Sequence, residues 1–171
     1  MRHLKSFVFV LVTLFSTVAL AAEQKIAVVD LGAAIFSSEV AKARQNELRA
    51  ESDFASLQAK YDSTTADIQA LQKDAEANRM TWSEEQVESF QKKMEYLRAD
   101  LELLQRKLQS EVRSLQNNIV NELRPKALEA LQEIVKDEGI TLLFRSDAVL
   151  VAQPDMDITA KLTDRLNKKT Q

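Results

Sequence analysis

The stretch Phe90–Val112, FQKKMEYLRADLELLQRKLQSEV, places an apolar residue at every third or fourth position. The repeating residues are Phe90, Met94, Leu97, Leu101, Leu104 and Leu108. A seven-residue repeat with two apolar positions is typical of a left-handed coiled coil. Because the apolar seam is narrow, the pattern predicts that this helix faces another helix rather than a broad core.

An earlier segment carries the same pattern, and the chain has no glycine and no proline from Ala33 to Arg124. The predicted seam of this first arm runs through Phe36, Val40, Ala43, Glu47, Ala50, Phe54, Leu57, Tyr61, Thr64, Ile68, Leu71 and Ala75. The pattern stops at Asn78–Ser83, where either Thr81 with Glu84 or Ser83 with Gln86 can form a capping box. Two arms of equal length, Glu39–Asn78 and Ser83–Glu122, therefore favour an antiparallel hairpin over one continuous helix in a parallel fibre.

The register slips after Leu108, because Val112 follows it by a second consecutive step of four. Such a stutter locally unwinds a supercoil. Pro125 then either bends the helix or begins a new one. A wider apolar stripe follows at Leu128, Leu131, Ile134 and Val135, and Gly139 is predicted to end that helix.

Short runs rich in β-branched residues near both ends predict a small sheet. The predicted strands are Lys25–Leu31, Thr141–Phe144 and Ala148–Ala152, and Asp157 caps a last helix with Ile158, Leu162 and Leu166 on one face. We expect a β-rich head at 22–38 and 125–171 and a hairpin at 39–124, with its loop at about 79–83. A head this small is marginal alone and has open strand edges, so a symmetric homo-oligomer is expected. Candidate core residues for the head and its oligomer are Ile26, Val28, Leu142, Phe144, Val149 and Val151.

The N-terminus has the features of a secretory signal peptide. A basic start, Met1–Lys5, precedes the apolar run Ser6–Leu20, and the small residues of Ala19–Ala21 predict cleavage after Ala21, hence export to the periplasm. The run is shorter than a membrane span requires. No cysteine lies near the cleavage site, which excludes a lipoprotein.

The composition of the exported chain argues against catalysis and cofactors. Cleavage removes His3, the only histidine, and the chain has no cysteine, so neither a Ser-His-Asp nor a Cys-His nucleophilic site can be built. The usual zinc and copper ligands are missing as well, and two glycines cannot form a phosphate-binding loop. The mature chain keeps 21 basic and 26 acidic residues, a net charge of −5, which together with export disfavours nucleic-acid binding. No catalytic residue, cofactor or metal site is predicted.

The mature chain resembles the OmpH-like family, also called the Skp family of periplasmic chaperones. The resemblance rests on the opening strand KIAVVDL (Lys25–Leu31) and on the closing segment GITLLFRSDAVLVAQPDMDITAKL (Gly139–Leu162). It implies a mainly α-helical trimer, in which a long coiled-coil hairpin from each chain projects from a small β-barrel hub and surrounds a cavity. It also implies an ATP-independent holdase for unfolded outer-membrane proteins. The holdase would prevent their aggregation on the way from the secretion machinery of the inner membrane to the outer-membrane assembly machinery.

Apolar residues off the coiled-coil seam are candidate client contacts. Leu48 and Leu103 lie outside the seam, while Met80 and Trp82 lie at the loop. The bland interpretation is that Met80 and Trp82 only close the loop as a local cluster. Residues 62–88 contain seven acidic and two basic residues, a net charge of −5, so contact with lipopolysaccharide or an anionic membrane is not expected. The alternative function is a periplasmic structural spacer or adaptor that holds no client.

Overall fold

The computed structural model describes residues 24–171, so the predicted signal peptide lies outside the described residues. Five helices and two strands follow one another along the chain. They are β1 (Lys25–Val29), α1 (Leu31–Phe36), α2 (Glu39–Ala50), α3 (Ser52–Asn78), α4 (Glu84–Asp137), β2 (Ile140–Arg145) and α5 (Thr159–Thr170). Single 3₁₀ turns lie at Arg79–Thr81, Ser146–Ala148 and Pro154–Met156. None of the helices in this part of the chain has the length and apolar content that a membrane span needs.

Helices α3 and α4 form the predicted antiparallel hairpin. Phe54 near the start of α3 shares a groove with Leu108 and Val112, whereas Gln72 near its end shares one with Phe90 and Met94. The predicted seam from Phe54 to Ala75 is half-buried at every position. On α4 the seam residues from Phe90 to Leu108 are half-buried, except for Met94, which is fully buried. The mainly helical fold class with long helices is thereby confirmed.

The first arm is not one helix, because it is interrupted at Glu51. Glu51 has an extended backbone conformation (φ −63°, ψ 132°) that separates α2 from α3. Of the seam predicted for α2, Val40 is half-buried and packs against the core at the base of the hairpin, but Ala43, Glu47 and Ala50 are exposed, so the prediction is wrong beyond Val40. Besides Val40, the inward-facing residues of α2 are Ala41, Gln45 and Leu48. The change of helical phase at Glu51 moves the contact face away from the continuous heptad register.

The second arm continues far beyond the predicted end of the hairpin. Helix α4 is 54 residues long and contains Pro125 within it, so Pro125 does not begin a new helix. At about 1.5 Å per residue, α4 spans about 80 Å and joins the hairpin to the head as one rod. Gly139 follows its end with φ of 64°, the left-handed conformation predicted for the residue that stops this helix.

The head core forms where β1, β2, α1 and α5 pack around the last turns of α4. One cluster contains Ala27, Val29, Ala34, Ala130, Ile134, Ile140, Ile158 and Leu162. A second cluster, at the base of the hairpin, contains Ile35, Ala41, Ile119, Leu123, Ala127 and Leu166. The predicted apolar face of α5 is confirmed, since Leu162 and Leu166 are fully buried. Leu128, expected on the core side of α4, is instead 41% exposed, because Ala127 and Ala130 form the contact with the head.

The two strands pair in parallel and end earlier or later than predicted. Val28 pairs with Phe144 and Ile26 with Leu142. Strand β1 stops at Val29, because Asp30 caps α1 by accepting a hydrogen bond from the Ala33 amide (2.8 Å). Gly32 therefore lies inside α1.

The predicted third strand, Ala148–Ala152, is wrong for the single chain. A 3₁₀ turn covers Ser146–Ala148, where the Val149 amide donates to the Ser146 carbonyl (3.3 Å) and directs the chain away from β2. The following residues form no ladder, and Leu150 and Val151 are 103% and 84% exposed. Within residues 24–171 the sheet consists of β1 and β2 alone.

Candidate functional site

The outer face of the head sheet gathers four of the predicted core residues. Ile26 lies beside Leu142, and Val28 lies beside Phe144, so all four occupy the face opposite to Ala27 and Val29. Val28 is buried, yet Ile26, Leu142 and Phe144 are 37%, 48% and 41% exposed. The remaining two candidates, Val149 and Val151, follow β2 in the irregular segment. The sheet thus presents an apolar face that the described chain leaves largely uncovered.

At the tip of the hairpin, the two candidate client contacts differ in exposure. Met80 lies in the 3₁₀ turn Arg79–Thr81 and is 99% exposed. Trp82 is half-buried, because its ring packs against Phe90 with centroids 5.1 Å apart. Ser83, the residue before α4, forms the capping box with Gln86: the Ser83 amide donates to Gln86 Oε1 (2.8 Å), and the Gln86 amide donates to Ser83 Oγ (3.3 Å). Of the two capping boxes that the sequence allows, the second one is present.

The two candidate client contacts along the helices, Leu103 on α4 and Leu48 on α2, also differ in exposure. Leu103 is 44% exposed on α4 and belongs to no seam position. Leu48, predicted to lie off the seam, is half-buried and lines a groove of about 290 Å³ between α2 and α4. The other apolar residues of this groove are Phe36, Phe54, Val112 and Leu115. The stutter at Val112 indicated a disturbance here. The break at Glu51 that opens the facing arm was not predicted, although the apolar seam is interrupted nearby at Glu47.

Ion pairs fasten α5 to the end of α4. Arg165 lies between Glu133 (3.2 Å) and Asp137 (3.1 Å), and Lys169 lies 2.7 Å from Glu133. Hydrogen bonds from Lys169 and, to a lesser extent, Arg165 lower the pKa of Glu133. The hydrogen bond to Glu133 is also the largest cause of the raised pKa of Lys169. These pairs fix the head on the rod and have no reactive group beside them.

A second ion-pair cluster joins three elements at Glu138. The Lys161 and Lys25 ammonium groups lie 2.7 Å and 2.6 Å from its two carboxylate oxygens. Hydrogen bonds from Lys161 and then Lys25 lower the pKa of Glu138 below its ordinary value. Within residues 24–171, no group of three or more histidine, cysteine or acidic residues is arranged to hold a metal ion. The candidate site therefore consists of exposed apolar surface on the head sheet and the hairpin.

Residues 25–166 match the family model described as "Outer membrane protein (OmpH-like)". The chain belongs to the OmpH-like family. The match covers β1, the whole hairpin and most of α5, and it confirms the resemblance seen in the two terminal segments. OmpH-like proteins are periplasmic chaperones and not enzymes, in agreement with the prediction that this chain is no enzyme.

Two relatives of the OmpH-like chain extend this result. A Skp-like protein of Pseudomonas aeruginosa is 26% identical over 168 residues, covering 98% of this chain and 99% of the relative. A crystal structure from Caulobacter crescentus CB15, assigned as an OmpH-like outer membrane chaperone, superposes with a TM-score of 0.50. It is 20% identical and covers 86% of each chain, so it supports the fold alone.

Proposed function

We propose that this OmpH-like protein is an ATP-independent periplasmic holdase that binds unfolded outer-membrane proteins between helical hairpins and prevents their aggregation. The observation that carries the proposal is that the head, from which a long two-helix hairpin projects, leaves an apolar face of its sheet uncovered. The family membership supports the client class. A holdase without an energy source needs a shielded volume and many weak contacts, since tight contacts would prevent release.

The head is the proposed site of oligomer assembly. Ile26, Leu142 and Phe144 expose apolar surface on one face of the sheet, and Leu150 is fully exposed just beyond it. Strand β1 has β2 on one side, and on the other Val28 bridges to Asp157, so the far edge of β2 is the one with no strand beside it in the described chain. An exposed strand edge next to apolar surface favours pairing with another chain. We propose that three copies join their heads into a closed hub, as the family resemblance implies.

Three hairpins fixed at such a hub would surround the client. The seam between α3 and α4 is occupied by their own side chains, so client contacts fall on the exposed apolar residues. Met80 and Leu103 are available for this, and Trp82 presents the part of its ring that does not lie on Phe90. Each contact is small, which suits reversible holding.

The charge of the tip bears on where the client is released. The net charge of −5 over residues 62–88 repels anionic lipid and lipopolysaccharide over a Debye length of about 8 Å at physiological salt. We therefore propose that the hairpins deliver clients to outer-membrane assembly machinery without docking on the membrane through their tips.

Dilution of a urea-denatured outer-membrane β-barrel protein tests this function. Light scattering is followed with no addition, with the mature protein and with an unrelated coiled-coil protein of equal charge. We expect aggregation to be suppressed at a stoichiometric ratio of assembled protein to client, without nucleotide. A spacer or adaptor would leave the scattering unchanged, and that result would overturn the proposal.

A further inference from the structure

The hairpin seam opens at one level, where the break between α2 and α3 lies across from the stutter of α4. Val112 is 38% exposed, although the seam residues Leu108 and Leu115 on either side of it are half-buried. Two adjoining grooves of about 290 Å³ and 330 Å³ share Phe54, Val112 and Gln116. Together they form one continuous depression, which we call the trough.

The trough has an apolar floor and a polar rim. The floor consists of Phe36, Leu48, Phe54, Leu108, Val112 and Leu115. The rim consists of Gln45, Arg49, Gln58, Gln109, Arg113 and Gln116. Two phenylalanines beside an open cleft provide an apolar anchor site, and side-chain amides both donate and accept hydrogen bonds. An extended peptide offers the complementary groups.

The charged residues of the rim, Arg49 and Arg113, are both basic. No carboxylate lines the trough, and within residues 24–171 neither Arg49 nor Arg113 lies within 4.0 Å of one. The neighbouring groove on the other side of Leu48 and Leu115 differs, because Glu47, Glu51 and Glu122 line it and Arg44 is paired there with Glu47 and Glu122. The trough is thus a cationic apolar site on a protein whose mature chain is acidic overall.

We propose that the trough binds an extended segment of unfolded client in which apolar residues are flanked by carboxylates. The inference rests on the proposed holdase function and names the client segment that the hairpin selects. An apolar side chain of the segment enters the floor at Phe54 and Val112, its main-chain carbonyls accept hydrogen bonds from the glutamine amides, and its carboxylates lie beside Arg49 and Arg113. The ion pairs are exposed, so each contributes little and the segment can leave without an energy source.

Peptide binding tests the charge preference. The probes are two short fluorescein-labelled peptides, one alternating leucine with glutamate and one alternating leucine with lysine. The glutamate peptide should bind more tightly, and the double variant Arg49→Glu/Arg113→Glu should weaken its binding about threefold to tenfold. The double variant Arg106→Glu/Lys107→Glu is the matched control, because it changes the net charge equally and both residues lie on α4 outside the trough. Equal affinity for the two peptides, or an equal loss in the control, would overturn the inference.

Thiol protection tests the position of the client. The chain has no cysteine, so Val112→Cys and Tyr96→Cys each introduce a single thiol on α4, the second at an exposed site (73%) that no described groove includes. A urea-denatured barrel protein should slow maleimide labelling of the cysteine at position 112 and leave that at position 96 unchanged. If labelling at 112 instead slows with rising concentration of the protein alone, a second copy covers the trough and the inference is wrong. If the wild-type protein suppresses aggregation while the client protects neither site, the inference fails and the holdase function stands. If it suppresses no aggregation at all, the proposed function itself fails.

Discussion

The ring of Trp82 lies on Phe90, with the ring centroids 5.1 Å apart and the planes inclined by 49°. This contact joins the turn at the hairpin tip to the second turn of α4. Offset or tilted aromatic pairs contribute about 0.5–1.5 kcal/mol beyond the area that they bury. The tip turn therefore has a small apolar cluster of its own, at the farthest point from the head.

Replacement of Trp82 should loosen the tip without unfolding the head. In Trp82→Ala we expect the local free energy of opening to fall by about 1 kcal/mol, because the aromatic pair is lost. Amide hydrogen exchange across residues 79–90 measures it. The control is Met80→Ala, whose side chain is 99% exposed and should leave the exchange unchanged. Faster exchange in the control alone would show that Met80, and not Trp82, closes the tip.

The capping box at Ser83 should determine where α4 begins. Ser83→Ala removes the acceptor of the Gln86 amide, and loss of such a cap costs about 1 kcal/mol. Thr81→Ala is the control, since the Thr81 hydroxyl donates to the Asn78 carbonyl and does not cap α4. Circular dichroism during urea unfolding compares the two variants. A larger loss for Thr81→Ala would favour the other capping box that the sequence allows.

Acid should weaken the attachment of the head to α4. The pKa of Glu138 is lowered by hydrogen bonds from Lys161 and Lys25, and that of Glu133 by hydrogen bonds from Lys169 and Arg165. A carboxylate whose pKa is lower in the folded state stabilises it above the ordinary pKa of 4.5, and this contribution is lost as the pH falls through the folded pKa. The urea midpoint should therefore drop below about pH 4.5.

The variant Glu138→Gln isolates one of these contributions. It should lower the urea midpoint at pH 7 and flatten the decline on acidification, because the neutral amide has no proton to gain. Glu95→Gln, an exposed position on α4, is the matched control and should keep the wild-type pH profile. A profile for Glu138→Gln that overlays that of the wild type would contradict the assignment.

An acidic residue on the outer face of the sheet should dissociate the oligomer. Burial of a leucine contributes about 1.5–3 kcal/mol, so Leu142→Asp should raise the dissociation constant at least about tenfold. Leu103→Asp is the control, because Leu103 is 44% exposed and Leu142 is 48% exposed, but Leu103 lies on α4 in the hairpin. This variant should stay assembled and lose part of its client affinity. Sedimentation over a dilution series measures the assembly of both variants. Dissociation of the Leu103 variant alone would show that the head does not form the interface.

Much of the hairpin could be predicted from the sequence, because a heptad seam depends only on local periodicity. The seam from Phe54 to Ala75 and the termination at Asn78 agree with the structure. The break at Glu51 was not predicted, since neither glycine nor proline marks it and Glu47 at a seam position is no stronger a signal than Thr64, through which α3 continues. The phase of α2 is set by packing of Ala41 into the head base, which is a tertiary contact.

The head was harder to predict for a related reason. Short β-branched runs identify Lys25–Val29 and Ile140–Arg145 as strands, yet the similar run at Ala148–Ala152 has no strand beside it in the single chain. Whether such a run pairs depends on a neighbour that periodicity does not reveal. The division into head and hairpin, and the roles of the candidate contact residues, stay predictions.

Native mass spectrometry of the mature protein, alone and after dilution of a urea-denatured outer-membrane β-barrel protein into it, tests the central claim most directly. The account predicts a discrete oligomer of three copies, and a second species heavier by the mass of one client. A protein that stays a monomer at all concentrations and gains no mass from the client would contradict it.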